Sequence, residues 1–204
     1  MSPSMRLATT AVLALSFAAF ATDGADAGEA EVDSVQSAIS GDTCPAGVPP
    51  ELAPAPDQHL AFVLSATGVQ KYTCAAAATG FAWTLVAPDA KLFRNDRQVG
   101  THHAGPTWAY RDGSTVVGAR VAGATLQPTA VPWLLLTAAS HGGENGKMTA
   151  VSSIQRLSTT GGVAPATGCD ADHVGAAVDV PYAADYFFYT TRTKHQQRNV
   201  RCGG

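Results

Sequence analysis

The residues best suited to chemistry lie in one short segment, residues 100–113 (GTHHAGPTWAYRDG). One interpretation is a site in which the imidazole of His102 acts as acid, base or ligand, Asp112 orients or bonds it, and Trp108 or Tyr110 stacks on a substrate ring. The other is structural, with a turn at Gly105-Pro106, Trp108 in the core and Asp112 beginning a hairpin. Turn chemistry already accounts for most of these residue types and favours the structural interpretation.

Two further patterns bear on metal binding. Adjacent residues on a strand point to opposite faces, so His102 and His103 are poorly placed to share one ion. The string Cys169-Asp170-Ala171-Asp172-His173 offers oxygen and imidazole groups, but an aspartate that caps a short helical turn explains it equally well. Neither pattern has a complete ligand set, and we predict no metal site.

Composition and missing motifs exclude several functional classes. Charged residues make up 14% of the chain and hydrophobic residues 46%, which is typical of a packed protein and not of a disordered one. The nucleophile elbow GxSxG, the HExxH motif, the phosphate-binding loop and the GxGxxG fingerprint are absent, so no cofactor is predicted. A net charge of -3 gives no global attraction to nucleic acid. No apolar run reaches the roughly 18 residues of a membrane span.

The beginning of the chain has the pattern of an export signal. Arg6 precedes an apolar run over residues 7–20, and small-x-small cleavage sites follow at Ala19-Phe20-Ala21 and Ala25-Asp26-Ala27. We therefore predict a signal peptide over residues 1–27 and a mature protein that is secreted or periplasmic.

Four cysteines are consistent with an oxidising compartment. An even number without any CxxC pair indicates two disulfides, for which three connectivities are possible. Cys44 and Cys202 flank the body of the chain, so we predict a Cys44–Cys202 bond that clasps the termini. That leaves Cys74 to pair with Cys169.

Three regions follow the signal peptide. Residues 28–57 form an acidic, Pro-rich arm, residues 58–190 form the body, and residues 191–204 form a basic tail. Apolar and β-branched runs in the body predict short strands at residues 59–65, 69–75, 81–87, 108–110, 115–121, 133–138, 148–157 and 186–191.

The separators between these runs contain turn residues. They are Thr67-Gly68, Asn95-Asp96, Asp112-Gly113, Asn145-Gly146 and Gly161-Gly162, of which Asp112-Gly113 and Asn145-Gly146 are typical of hairpins. The run Trp133-Leu134-Leu135-Leu136 is apolar on both faces and predicts a strand covered from both sides. The predicted fold is an all-β, single-domain β-sandwich or closed β-barrel of short antiparallel strands, stapled by disulfides.

Several strings together resemble a known family. They are GVQKYTC (68–74), WTLVAPDAKLF (83–93), GTHHAGPTW (100–108), DGSTVVG (112–118), VPWLLL (131–136), TTGGVAPATGCD (159–170) and VPYAADYFFY (180–189). In this order they resemble the exported DUF3455 family of bacteria and fungi, over about residues 47–189. The resemblance brings no catalytic residues with it. Within its motif, His102 falls on the family's own His, whereas His103 stands where an aromatic residue is expected.

These observations favour a non-enzymatic binding or envelope-associated module with a small or saccharide-like ligand. Candidate ligand-binding residues are His102, Trp108, Tyr72, Gln155 and Asp112. One alternative is a cofactor-independent hydrolase or isomerase that uses His102 with Asp112, and another is a structural surface protein. A pocket where His102, Trp108, Tyr72 and Gln155 converge would support a ligand, whereas a buried Trp108 with His102 bonded to backbone would support a structural role. The sequence does not determine the oligomeric state.

Overall fold

The computed structural model describes residues 43–191, whose regular structure is almost entirely β-strand. The strands are β1 (Gln58–Ala76), β2 (Phe81–Arg94), β3 (Arg97–His103), β4 (Thr107–Tyr110), β5 (Thr115–Ala124), β6 (Trp133–Gly142), β7 (Ser153–Gly161) and β8 (Ala177–Thr191). Two 3₁₀ turns, Pro50–Leu52 and Ala171–His173, complete the regular elements of this region. The predicted all-β fold is confirmed.

The eight strands form one closed barrel in which each pairs antiparallel with its neighbours in sequence, and β8 pairs with β1. Of the two predicted architectures, the barrel is the correct one. Consecutive strands run in opposite directions, so the connections alternate between the two ends. We call the end with the β1–β2, β3–β4, β5–β6 and β7–β8 connections the loop end. The other, where β1 begins and β8 ends, is the terminal end.

Alternation along the strands sends one set of side chains into the barrel, where they form the inner core. Phe62 stacks on Phe188 with ring centroids 4.6 Å apart, and both pack with Leu64 and Ile154. Large rings are accommodated by small neighbours: a Cβ on Gly118 would stand 2.9 Å from the indole of Trp108. The interior around Trp108 is therefore filled by side chains, as an eight-stranded barrel allows.

A second apolar cluster lies apart from the inner core. The fully buried Leu52, from the 3₁₀ turn of the Pro-rich arm, packs there with Leu60, Leu135 and Tyr189. This part of the arm thus belongs to the folded domain. Because Leu135 lies in this cluster and Leu136 in the inner core, β6 is covered from both sides, as its sequence predicts.

Several strand boundaries differ from the prediction. The predicted strands 59–65 and 69–75 are one strand, β1, of 19 residues. The predicted turn at Thr67-Gly68 is wrong, because Gly68 pairs with Ala90 on one side and Tyr182 on the other. A Cβ on Gly68 would clash with the carbonyl oxygen of Asp89, so this glycine permits a close approach of two strands. β3 is not predicted because its sequence, RQVGTHH, lacks apolar alternation.

The turns between the strands also differ in part from those predicted. Asn95 and Asp96 both have positive φ, 49° and 59°, and form the two-residue connection of β2 to β3. Asp112-Gly113 joins β4 to β5 as predicted. Asn145-Gly146 lies in a longer connection, residues 143–152, and β7 begins at Ser153.

The predicted Cys74–Cys169 disulfide is present and joins β1 to the β7–β8 connection. Cys44 is disulfide-bonded as well; Cys202, its predicted partner, lies outside the described residues. The predicted signal peptide (1–27), the beginning of the predicted acidic arm and the predicted basic tail from residue 192 onward also lie outside them. In the part of the chain that the structure describes, no helix is long and apolar enough to cross a membrane.

Candidate functional site

His102 and Trp108 are paired residues on β3 and β4, and both side chains lie in the barrel core. Their rings stack with centroids 4.3 Å apart and planes 11° apart. His102 Nδ1 lies 2.9 Å from the carbonyl oxygen of Thr107. Because a carbonyl oxygen only accepts, Nδ1 carries the proton and donates it. This is the arrangement expected of a structural role for the segment.

The environment of His102 keeps its ring uncharged. The pKa of His102 is lowered to about 3, and burial is the largest cause; the positive charge of Arg156 acts in the same direction, while the bond to Thr107 opposes the shift. An imidazole with this pKa is neutral at physiological pH and poorly matched to proton transfer there.

Asp112 does not accompany His102. It lies in the β4–β5 turn at the terminal end, where its carboxylate accepts bonds from the hydroxyl and N–H of Ser114 and from the N–H of Lys147. The Ser114 hydroxyl is the largest cause of the lowered pKa of Asp112. These contacts fix the turn to the β6–β7 connection.

Gln155 lies apart from the inner core as well. Its amide nitrogen donates to the carbonyl oxygen of Leu52 at 2.6 Å, and its amide oxygen accepts from the hydroxyl of Tyr189 at 2.6 Å. Gln155 therefore ties the Pro-rich arm to the barrel wall. Gln155 therefore does not converge with His102, Trp108 and Tyr72 in one pocket.

A different set of polar side chains meets inside the barrel towards the loop end. We call Gln70, Tyr72, Arg156, Tyr182 and Tyr186 the polar cluster. The Tyr72 hydroxyl donates to the carbonyl oxygen of Gly162 at 2.6 Å. A Cβ on Gly162 would stand 2.8 Å from Cβ of Tyr182 and 3.1 Å from Cγ of Gln70. Three of the five residues thus surround one glycine of the β7–β8 connection.

Tyr186 and Arg156 complete the polar cluster. The hydroxyls of Tyr182 and Tyr186 lie 3.5 Å apart. The guanidinium of Arg156 is close enough to Tyr186 to oppose the rise in pKa that burial causes in its phenol. Arg156 also donates from Nε and Nη2 to the carbonyl oxygen of Pro132, at 3.1 and 2.8 Å. Burial raises the pKa of all three tyrosines, so their phenols remain protonated donors.

The stacked pair lies directly beside this cluster. Tyr186 makes edge contacts with His102 and Trp108, at centroid distances of 5.1 and 5.3 Å. The structure therefore brings together three of the five predicted site residues, Tyr72 within the polar cluster and His102 and Trp108 against it.

Two buried polar groups in this region have no hydrogen-bond partner among the described residues. They are the whole carboxamide of Gln70, which is 1% exposed, and Nε1 of Trp108. Buried polar groups are nearly always bonded, because an unmade bond costs about 1–3 kcal/mol. A bound molecule or water with both donor and acceptor groups would satisfy the Gln70 amide.

The loop end has a second distinguishing property. All the large apolar side chains that are exposed among the described residues lie on strand halves or connections at this end: Phe81, Leu85, Val86, Val121, Leu126, Val163 and Val174. Exposed apolar residues concentrated in one region are typical of interaction sites. This end of the barrel is the better candidate for function.

The aspartate-rich string at Asp170 caps the 3₁₀ turn Ala171–His173. Asp170 accepts from the N–H of Asp172 and lies 2.6 Å from His173 Nδ1. The described residues contain no group of three or more His, Cys, Asp or Glu arranged to hold a metal.

Sequence reasoning missed Gln70, Arg156, Tyr182 and Tyr186. A signal for two of them was available, since Gln70 alternates with Tyr72 and Cys74 on the buried face of β1, and Arg156 follows Ile154 on that of β7. A Gln or Arg on a buried face is rarely placed there for packing alone.

Comparison with known proteins identifies a family. Residues 54–98 and 93–190 match the family model described as a protein of unknown function, DUF3455. No curated protein and no solved structure matches the chain. Because the matched residues cover more than half of the sequence, the chain belongs to the DUF3455 family.

Proposed function

We propose that the protein is a non-enzymatic extracytoplasmic binding module that holds a small, saccharide-like ligand at the loop end of its barrel. The single observation that carries this proposal is the buried carboxamide of Gln70, which offers a donor and an acceptor that nothing in the described residues uses. Sugar hydroxyls donate and accept at once and are suited to such an amide.

The surroundings of Gln70 support the same class of ligand. Tyr72, Tyr182 and Tyr186 supply phenol groups and ring faces next to the amide. Binding sites for small molecules combine aromatic walls with a few directed polar groups in this way. Some eight-stranded barrels hold one small ligand in the part of the interior that side chains do not fill.

The enzyme alternative has less support. It requires His102 to exchange protons with help from Asp112, but His102 bonds the Thr107 carbonyl and stacks on Trp108. Asp112 is engaged in a turn at the other end of the barrel. The extracytoplasmic location is supported by the Cys74–Cys169 disulfide, since such bonds persist in oxidising compartments.

Ligand-observed NMR with glucose, galactose and N-acetylglucosamine at millimolar concentration tests the proposal. We expect at least one sugar to bind the wild-type protein and to lose binding in Gln70→Leu. Gln98→Leu, the same substitution at an exposed position of β3, is the matched control and should bind like wild type. If no sugar binds, or if Gln70→Leu binds as tightly as wild type, the proposal is wrong and a structural role is the better interpretation.

A further inference from the structure

The positive charge of Arg156 in the polar cluster indicates which class of saccharide the cluster binds. Arg156 is the charged member, and the other members of the cluster are three uncharged phenols and an amide. Among the residues that the structure describes, no carboxylate forms an ion pair with Arg156. His102, which Arg156 influences, is neutral.

A cation that is partly withdrawn from water is stabilised by an opposite charge bound beside it. Arg156 is half-buried on the inner face of β7, opposite Tyr186 on β8. The Pro132 carbonyl oxygen accepts hydrogen bonds from Nε and Nη2 of the guanidinium. The guanidinium has further N–H donors that a ligand can use. A guanidinium is the side chain best shaped to bind a carboxylate.

We propose that the polar cluster takes an acidic saccharide, with Arg156 bound to its carboxylate and Gln70 to its hydroxyls. This inference rests on the proposed function and narrows it to one class of ligand. One arginine among neutral partners compensates one negative charge, which fits a carboxylate better than a doubly charged phosphate.

The positions of Arg156 and Gln70 also support an acidic saccharide as the ligand. Arg156 reaches Pro132 in the β5–β6 connection, and Gln70 reaches Gly162 in the β7–β8 connection. These two connections touch, because the Val131 N–H donates to the Gly161 carbonyl at 2.9 Å and a Cβ on Gly162 would stand 3.0 Å from Val131. The amide and the guanidinium therefore flank one small region at the loop end.

Glucose and glucuronate form a matched pair of probes, because they share a ring and differ by the carboxylate. By NMR titration we expect wild type to bind glucuronate at least about tenfold more tightly than glucose, a factor that one charge-assisted bond readily supplies. The methyl ester of glucuronate should bind like glucose. Arg156→Gln should lose the preference, and Arg156→Lys should keep part of it.

The outcomes separate this inference from the proposed function. If wild type binds glucose as tightly as glucuronate, with both lost in Gln70→Leu, the acidic ligand is wrong and the binding module stands. If wild type binds neither of these sugars and also fails to bind galactose and N-acetylglucosamine, both proposals fail; if it binds one of those two but not glucuronate, only the acidic ligand is wrong. Displacement of glucuronate by an equal concentration of inorganic phosphate would show that the site binds phosphate, and the proposal of a carboxylate ligand would be wrong. The ester comparison uses wild-type protein only, so it decides the matter even if the Arg156 variants do not fold.

Discussion

The imidazole of His102 stacks on the indole of Trp108, and both buried rings make edge contacts with Tyr186 in the barrel core. The two side chains come from paired positions on β3 and β4, so the stack fastens a seven-residue strand and a four-residue strand to the core. A histidine in this setting stabilises the fold and indirectly positions the polar cluster beside it.

His102→Ala should lower the free energy of unfolding by about 1–3 kcal/mol, because it removes the stack and leaves the partly buried Thr107 carbonyl without its donor. His103→Ala changes an exposed neighbour on the same strand and should cost less than about 0.5 kcal/mol. Urea unfolding of the two variants measures both values. Equal stability of His102→Ala and wild type would contradict a structural role for the ring.

Protonation of His102 should destabilise the protein in acid. Its pKa is about 3 in the folded state and about 6.5 in an unfolded chain, so the unfolded state binds the proton more tightly. The stability that the neutral ring contributes is complete above about pH 6.5 and is lost as pH falls towards 3, by up to about 1.4 kcal/mol per pH unit. Urea unfolding between pH 7 and 4 should show a steeper loss for wild type than for His102→Gln. Carboxylates contribute equally to both proteins, so matching slopes would show that His102 is not buried as a neutral ring.

The buried faces of the barrel were predictable from sequence wherever the pattern was apolar. Trp133-Leu134-Leu135-Leu136 indicates a strand covered on both sides, and the structure places Leu135 and Leu136 in different clusters. The turn predicted at Thr67-Gly68 is wrong because a glycine is equally typical of a turn and of a close contact between strands. Only the position of Asp89 across the sheet separates these two uses.

The candidate site was only partly predictable. The segment 100–113 attracts attention because its polar and aromatic residues are adjacent in sequence. The polar cluster draws on β1, β7 and β8, so Gln70, Arg156 and Tyr182 meet only after barrel closure. Register between strands far apart in sequence decides such a site, and a single sequence does not reveal that register.

The two buried glutamines should respond oppositely to the same substitution. Gln155→Leu leaves the Leu52 carbonyl and the Tyr189 hydroxyl without their partners and should cost at least about 1–3 kcal/mol. Gln70→Leu removes an amide that has no partner among the described residues, so stability should stay within about 0.5 kcal/mol of wild type or rise. Chemical unfolding of both variants without ligand measures the contrast. A large loss in Gln70→Leu would show that the amide is satisfied inside the protein.

The Cys74–Cys169 bond should be a main support of the loop end. It joins residues 95 positions apart, and bonds that close loops of this size typically contribute about 2–5 kcal/mol. The double variant Cys74→Ala, Cys169→Ala should lose that amount in urea unfolding. Thiol counting on denatured, unreduced wild type should find no free thiol, and a count of two or four would contradict the predicted pair of disulfides.

Gly162 and Gly175 provide a test of the packing that holds the polar cluster together. Both have positive φ, +79° and +88°, so alanine at either position carries a strain of about 1–2 kcal/mol. Gly175 has open space where a Cβ would stand, whereas at Gly162 the Cβ would meet Tyr182 at 2.8 Å. Overpacking of this kind costs about 1–3 kcal/mol more.

Gly162→Ala should therefore unfold at clearly lower urea concentration than Gly175→Ala. It should also weaken binding of the sugar probes, because Tyr182 and the carbonyl that anchors Tyr72 both have to move. Gly175→Ala should bind like wild type. If the two variants are equally stable and bind equally well, Gly162 does not organise the polar cluster, and the site must be sought elsewhere at the loop end.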